Sequence, residues 1–264
     1  MSGSEDRPHS NYDLVIMSQQ TTPQARSTLV GIGVGPGNPE FVTLAALRTL
    51  DAADLIFGPT SSAGQPGRAE TIIRSLRPEL VVTPILFEMS QGSLGIEQRR
   101  QSTLGAAEEV VAALKPGFTA AFLTLGDPNI FSTFNLLAEM VTTLAPNVSI
   151  ASIPGIMAFQ AVVATTGMTL LNESEHLSLL TGLEVTDRLD QELEDPSCAI
   201  VIYKGGRNLG AITRRIEAHG RSRGAVIGIG AGLPGGTVSE LTELRETETA
   251  PYLSTIIIPP LRHG

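Results

Sequence analysis

Short apolar runs alternate with helix-like segments along most of this chain. In its first half the sequence predicts strands at Thr28–Gly33, Leu55–Phe57, Leu80–Leu86, Phe118–Leu125 and Val148–Ile153. Between them it predicts helices at Pro39–Ala52, Ala69–Leu76, Leu94–Leu114 and Asn129–Leu144. Such alternation is typical of an α/β protein in which helices cover both faces of a mostly parallel sheet. We therefore expect a ligand site at the carboxyl ends of these strands.

The segment from Ile153 to Gly167 is predicted to join two domains. It begins with Pro154-Gly155, continues as a small apolar helix, and ends at Gly167, which suits a helix C-cap. Beyond it the sequence predicts strands at His176–Leu180, Ala199–Tyr203, Ala225–Gly230 and Ser254–Pro259, helices at Asp187–Glu194 and Leu209–His219, and a two-residue hairpin turn at Gly235-Gly236 before Val238–Leu244.

The predicted fold class is therefore α/β, with two α/β domains and a cleft between them. Residues 27–152 form the first domain in this prediction and residues 153–264 form the second. The polar N-terminal extension, residues 1–26, is expected to be flexible and carries no signal-peptide pattern.

Charge and residue usage exclude several classes of partner. A formal net charge of −9 disfavours nucleic acid, because phosphate contacts need a basic field. The longest apolar runs fall far short of the ~20 residues that span a bilayer, so we expect a cytoplasmic protein without membrane contact. A single cysteine, Cys198, is predicted to be a buried strand residue, and the four histidines share no metal-ligand spacing. We therefore expect no metal site.

A glycine-rich loop, Gly31–Gly37, follows the first predicted strand. It fails the Gly-x-Gly-x-x-Gly dinucleotide fingerprint in both registers, because the last position falls on Pro36 or on Asn38. Its glycines still allow backbone to approach a ligand closely. The alternative interpretation is a tight strand-to-helix turn without a ligand.

A second loop, Thr124 to Pro128, follows the fourth predicted strand. Asp127 can cap a helix that Pro128 begins, or it can contact the polar end of a ligand. Two such loops at neighbouring strand ends would converge on one pocket. Three basic residues near predicted strand ends, Arg68, Lys204 and Arg207, are candidates to hold an anionic ligand or are solvated surface charges. No combination of nucleophile and base can be assembled, so no catalytic residue is assigned.

Together these motifs resemble the tetrapyrrole (corrin/porphyrin) methyltransferase family. The resemblance runs in order from Thr28 to Pro260. Its four elements are Gly33-Val34-Gly35-Pro36-Gly37-Asn38-Pro39-Glu40 with Thr43-Leu44, then Leu125-Gly126-Asp127-Pro128, Ile153-Pro154-Gly155-Ile156 and Tyr203-Lys204. It implies the tetrapyrrole methylase-like fold of class III methyltransferases, S-adenosylmethionine as methyl donor (S-adenosylhomocysteine as product), a tetrapyrrole substrate and a homodimer.

Three further segments are similar to the branch of the family that methylates C20 of precorrin-2 on the route to cobalamin. They are Ser132-Thr133-Phe134, Phe87-Glu88-Met89-Ser90 and Lys204-Gly205-Gly206-Arg207. Some relatives act on the cobalt-loaded substrate. Asn38, Phe131 and Glu88 depart from the family's usual Asp, Tyr and Pro. The alternatives are a methyltransferase for C17 or C11, a relative that methylates diphthine, and a non-catalytic nucleotide-binding module.

The resemblance also implies site residues. Those implied for the cofactor are Pro36, Leu125, Gly126, Asp127, Ile130, Ser132, Thr133, Met157, Ala158, Tyr203, Lys204 and Gly232. Those predicted for the substrate are Arg68, Glu88, Met89 and Arg207. Asp127 is expected to position the cofactor and not to act as a general base.

Overall fold

The computed structural model describes residues 26–62, 64–87, 95–244 and 248–262. Within these residues the chain forms two five-stranded sheets, one in each predicted domain. The predicted N-terminal extension lies, up to residue 25, outside the described residues. The prediction of two α/β domains is confirmed.

The first sheet is parallel throughout, as the alternating sequence predicted. Its strands are β1 (Thr28–Gly33), β2 (Leu55–Thr60), β3 (Thr83–Leu86), β4 (Thr119–Thr124) and β5 (Ser149–Ile153). They lie in the order β3-β2-β4-β1-β5, and every neighbouring pair is parallel. The carboxyl ends of β1 and β4 therefore lie side by side, each followed by one of the two Gly/Pro loops.

Helices cover both faces of this sheet. They are α1 (Leu44–Ala52), α2 (Arg68–Leu76), α3 (Gly95–Ala113) and α4 (Thr133–Leu144). On one face Leu50 of α1 and Ile73 of α2 pack with Ile32 of β1. On the other, Val110 of α3 and Leu137 of α4 pack around strand residues such as Phe122 and Leu29. Each apolar cluster is buried between sheet and helices, so β1 and β4 are fixed from both sides.

Two predicted helix starts are wrong. The segment predicted as one helix from Pro39 is a single 3₁₀ turn, Pro39–Phe41, followed by α1. The Thr43 hydroxyl accepts a hydrogen bond from the Ala46 amide and caps α1 in its place. Likewise α4 begins at Thr133 and not at Asn129, because Ser132 accepts from the Phe134 amide and provides the cap.

The second sheet is mixed. Its strands are β6 (His176–Thr181), β7 (Cys198–Tyr203), β8 (Val226–Ile229), β9 (Thr237–Glu240) and β10 (Ser254–Ile258). They lie in the order β6-β7-β10-β8-β9. The pair β6–β7 is parallel, and the other neighbouring pairs are antiparallel.

Three helices flank this sheet: α5 (Ala158–Thr166), α6 (Asp187–Glu194) and α7 (Leu209–Ala218). The apolar sides of α6 and α7 share one buried cluster with Ile200 and Ile202 of β7. Val162 of α5 packs on the opposite face, against Val201 and Ile257. Short 3₁₀ turns stand at Gly206–Asn208 and Leu241–Leu244.

Gly167 ends α5 in the left-handed conformation, with φ 70°, and the predicted C-cap is confirmed. The predicted hairpin also exists, as β8–β9. The connection between the two strands spans residues 230–236, so the prediction of a two-residue turn at Gly235-Gly236 is wrong. In the part of the chain that the structure describes, no helix is both long and apolar enough to cross a membrane.

Candidate active site between the two domains

The two Gly/Pro loops meet directly at the carboxyl edge of the first sheet. The Gly126 amide donates to the Gly35 carbonyl at 2.8 Å, and the two residues form an isolated antiparallel bridge. Both have positive φ, 77° for Gly35 and 68° for Gly126, a conformation that glycine adopts without steric cost. The predicted convergence of the loops is confirmed.

The interdomain Pro-Gly segment packs against this pair, backbone to backbone. A Cβ on Gly155 would lie 2.0 Å from the Gly126 carbonyl oxygen, and one on Gly33 would lie 2.5 Å from the Gly155 nitrogen. Neither position can hold a side chain without moving backbone. We call Gly33, Gly126 and Gly155 the glycine floor of the cleft, because they bring the ends of β1, β4 and β5 into contact.

Asp127 ties the floor together. One carboxylate oxygen accepts from the Asn129 amide at 2.8 Å, and the other accepts from the Gly155 amide at 3.1 Å. The interpretation of Asp127 as the cap of a helix begun by Pro128 is wrong, since α4 starts later under Ser132. Asp127 instead holds the second loop in a turn and joins it to the interdomain segment.

Ser132 fixes the far end of the same loop. Its hydroxyl caps α4 and lies 2.9 Å from the Thr124 hydroxyl at the end of β4. Leu125, Gly126, Asp127 and Ile130 are partly accessible, and Thr133 is exposed. The loop from Leu125 to Ser132 is thus anchored at both ends, with its middle facing outward.

The second domain contributes Tyr203 and Lys204, at the end of β7. The Lys204 ammonium donates to the Phe131 carbonyl at 3.0 Å, and the rings of Phe131 and Tyr203 meet edge to face with centroids 5.9 Å apart. In the described residues Phe131 (φ 51°) and Lys204 (φ 59°) are the two non-glycine residues with positive φ. We call Phe131, Tyr203 and Lys204 the clasp. Strained backbone of this kind persists only where its surroundings hold it, and it clusters at functional sites.

The first Gly/Pro loop also contacts the second domain. A Cβ on Gly232, in the loop after β8, would lie 3.0 Å from the Pro36 ring. Residues of both domains, including Gly37 and Gly232, also line a cavity of about 410 Å³ beside it. Met157 and Ala158, at the start of α5, complete the boundary, and the Phe159 amide donates to the Tyr203 hydroxyl at 3.4 Å.

Positive charges gather around the clasp. Burial, and then the charge of Arg99, lower the pKa of Lys204. Burial raises the pKa of Tyr252, against the opposing charges of Arg99 and Arg207. The Lys204 ammonium lies 6.0 Å from the centre of the Tyr252 ring. Lys204 and Arg207 thus both interact with Tyr252, and their roles toward a ligand stay predictions.

Sequence reasoning missed Arg99 and Tyr252 in this group. Arg99 is one of many charges on the exposed side of α3, and no motif marks it. Arg68 lies exposed at the start of α2, and its role toward a substrate stays a prediction. Glu88 and Met89 lie outside the described residues.

Open space lies beside the glycine floor of the cleft. Gly126 has no atom within 4 Å of the position a Cβ would take, which leaves room beside the floor's peptide groups. Leu125, next to Gly126 in the chain, provides an apolar and partly accessible side chain. Peptide groups can bind the polar edges of a purine and ribose, and the apolar surfaces can cover its faces. S-adenosylmethionine has this chemistry.

The fold belongs to the class of α/β proteins with two domains and a cleft between them, and comparison with known proteins identifies the family. Residues 28–246 match the family model of the tetrapyrrole (corrin/porphyrin) methylases. A precorrin-2 C(20)-methyltransferase from Sinorhizobium is 31% identical over 237 residues, 88% of this chain and 94% of the relative. A cobalt-precorrin-2 C(20)-methyltransferase from Salmonella typhimurium is 27% identical over 232 residues, 87% and 95% of the two chains.

Solved structures share the fold at low sequence identity. A cobalamin-synthesis-related protein, CobF, from Corynebacterium diphtheriae superposes with a TM-score of 0.68 at 18% identity and covers 90% of this chain and 100% of its own. A uroporphyrin-III C-methyltransferase from Thermus thermophilus, solved with S-adenosylhomocysteine, superposes with a TM-score of 0.58 at 20% identity. The match covers 87% of this chain and 96% of that structure.

The chain belongs to the tetrapyrrole (corrin/porphyrin) methylase family. It is accordingly an S-adenosylmethionine-dependent methyltransferase of cobalamin biosynthesis.

Proposed function

We propose that the chain transfers a methyl group from S-adenosylmethionine to C20 of precorrin-2 or of its cobalt-loaded form. The observation that carries this proposal is the 31% identity to the Sinorhizobium precorrin-2 enzyme, which extends over 94% of that relative. The segments Ser132-Thr133-Phe134 and Lys204-Gly205-Gly206-Arg207 support the same branch of the family.

The donor, when bound, supplies an electrophilic sulfonium methyl group. A reduced tetrapyrrole carbon is an electron-rich nucleophile, so the protein needs no covalent nucleophile of its own. Its task is to align the two reactants and exclude water. Orientation of this kind contributes on the order of 7–11 kcal/mol in favourable cases.

The glycine floor and Asp127 perform the alignment in this proposal. Because Asp127 accepts amide protons from both Asn129 and Gly155, it fixes where the peptide groups of the second loop point. Cofactor contacts at Leu125, Gly126 and Ile130 would follow from that geometry. Asp127 acts here as a positioning residue and not as a base.

The cations around the clasp bind the substrate in this proposal. A tetrapyrrole precursor carries many carboxylates, which form strong charge-assisted bonds with arginine and lysine. The charges of Arg99 and Arg207 both act on the phenol of Tyr252, and Lys204 lies beside its ring. We assign these three cations, with Arg68 from α2, to the substrate's carboxylates; for Lys204 this replaces the cofactor role that the resemblance implies.

Product analysis tests this assignment. The enzyme is incubated anaerobically with precorrin-2, or separately cobalt-precorrin-2, and S-adenosylmethionine carrying a ¹³C methyl group. Mass spectrometry should show one added methyl group, and NMR should place the label on C20; the faster of the two substrates identifies the metal state. Label at C17 or C11 would contradict the position. Cofactor binding without transfer to any tetrapyrrole would favour the non-catalytic module.

The homodimer that the resemblance implies stays a prediction, and so does the cytoplasmic location expected from the short apolar runs. Light scattering on the purified chain should give twice the mass of 27.8 kDa. A monomeric mass would remove the homodimer from the proposal without affecting the assignment of the reaction.

A further inference from the structure

Three side chains able to bind a metal meet in the second domain, away from the cleft. His176 and Cys198 begin the parallel strands β6 and β7 and are paired in register. Tyr203 of the clasp ends β7, so the group lies at the opposite edge of the sheet. Glu192, near the end of α6, packs onto the same place.

The three side chains offer different donor atoms in one small volume. The imidazole nitrogen of His176, a carboxylate oxygen of Glu192 and the sulfur of Cys198 all lie within 4.8 Å of one another. In-register residues on neighbouring strands point to the same face, which explains why the imidazole and the thiol converge. An Asp195 carboxylate oxygen lies 3.8 Å from His176 Nε2.

Burial makes this group unusual. Cys198 is fully buried and Glu192 is 7% exposed. One oxygen of Glu192 pairs with Arg188, but the other accepts from the Cys198 thiol at 3.2 Å. A thiol is a weak donor, so it compensates a buried carboxylate oxygen poorly. His176 remains more than half exposed, at 54%, which leaves a path from solvent.

We propose that His176, Glu192 and Cys198 bind a zinc-like divalent cation, with water entering past exposed His176 as the fourth ligand. Nitrogen, sulfur and carboxylate oxygen are the donors that Zn²⁺ takes in tetrahedral sites. On binding, the thiol proton leaves to water and the thiolate forms the bond to the metal. The cation would then link β6, β7 and α6.

Without a metal the thiol is inert. Burial, followed by the hydrogen bond to Glu192, raises the pKa of Cys198 to about 12. The thiol is then protonated and unreactive at neutral pH. Cys198 begins β7 and Tyr203 of the clasp ends it, so the proposed metal site lies away from the cleft and its role is structural. This proposal departs from the expectation of no metal, which counted ligands along the sequence and not across strands.

Cobalt titration tests the site. The full chain, without a histidine tag and stripped with a chelator, is titrated with Co²⁺. One equivalent should produce a thiolate-to-cobalt charge-transfer band and the intense visible bands of a tetrahedral site, and should raise the thermal midpoint. Zn²⁺ should displace the cobalt and abolish the bands.

Two variants and one control decide the result. Cys198→Ser should remove the charge-transfer band. His176→Ala, at an exposed position that leaves the core intact, should weaken Co²⁺ binding at least about tenfold. Loss of a residue that only hydrogen-bonds to a metal ligand already costs about that much, so loss of a ligand should cost no less. His219→Ala, in the same domain, should change neither. A wild-type chain that binds no Co²⁺, or binds it without a band that depends on Cys198, would overturn the proposal.

Discussion

The two sides of the cleft are built in opposite ways. The glycine floor joins β1, β4 and the interdomain segment by direct backbone packing of Gly155 on Gly33 and Gly126, supported by the Asp127 carboxylate. The clasp joins the domains through side chains, by the ammonium of Lys204 and the ring of Tyr203 on Phe131. One side excludes side chains, and the other depends on them.

This difference separates a fixed surface from an adjustable one. Backbone packing has no rotamers, so the floor holds one geometry for the cofactor. A lysine ammonium on a flexible stem can give up its carbonyl partner for a substrate carboxylate. The comparison predicts that changes to the floor damage binding most, that changes to the clasp act moderately, and that changes outside the cleft leave binding intact.

The largest effect is expected from Gly155→Ala. The added Cβ would meet the Gly126 carbonyl oxygen at 2.0 Å, and the backbone must shift to relieve it. We expect a loss of stability on the order of 1–3 kcal/mol, as for overpacking, together with loss of S-adenosylmethionine binding by calorimetry.

Gly105→Ala in α3 is the matched control, because a Cβ there meets nothing within 4 Å. It should stabilise the protein by about 0.5–1 kcal/mol, since alanine suits a helix interior better than glycine. Normal cofactor affinity in Gly155→Ala would show that the floor does not shape the site.

Substitutions at Lys204 are expected to change the stability of the protein moderately. Both Lys204→Ala and Lys204→Gly lose the bond to Phe131, but glycine also relieves the positive φ of 59°. Urea unfolding should find the glycine variant more stable than the alanine variant by about 1 kcal/mol. Glycine removes a backbone strain of ~1–2 kcal/mol, but part of that gain is offset by its greater loss of conformational entropy on folding. Equal stabilities would mean that the clasp is not strained.

The smallest effect is expected outside the cleft, at Glu175. Arg262 donates to both carboxylate oxygens and lowers the pKa of Glu175 from 4.5 to about 2. A lowered pKa stabilises the fold above pH 4.5, and that contribution is lost as the pH falls toward 2. Arg262→Gln should flatten the decline of the urea midpoint across this window and leave cofactor affinity at neutral pH unchanged. A steeper decline in the variant would contradict the assignment.

The parallel sheet and the convergence of the two loops followed from the sequence because strand periodicity and Gly/Pro usage are local signals. The starts of two helices could not be predicted from the sequence, because Pro39 and Pro128 suit a first turn equally well whether or not a helix continues. Only tertiary contacts decide that Thr43 and Ser132 provide the caps.

Only part of the clasp is predictable from the sequence. Tyr203 and Lys204 were predicted from motif resemblance, but positive φ at Phe131 and Lys204 has no sequence signal, because neither is glycine. Arg99 was missed for another reason: it reaches the site from α3 across a distance in sequence that no spacing rule covers. The ligand group around Cys198 likewise arises from strand register.

Calorimetric titration with S-adenosylmethionine tests the central claim most directly. Asp127→Ala leaves the amides of Asn129 and Gly155 without their acceptor, at a cost of about 1–3 kcal/mol. Asp54→Ala is the control, because Asp54 accepts from the Thr119 amide at 2.7 Å at the other end of β4. We predict one cofactor per wild-type chain, at least about tenfold weaker binding in Asp127→Ala, and unchanged binding in Asp54→Ala. Wild-type affinity in Asp127→Ala would contradict the account.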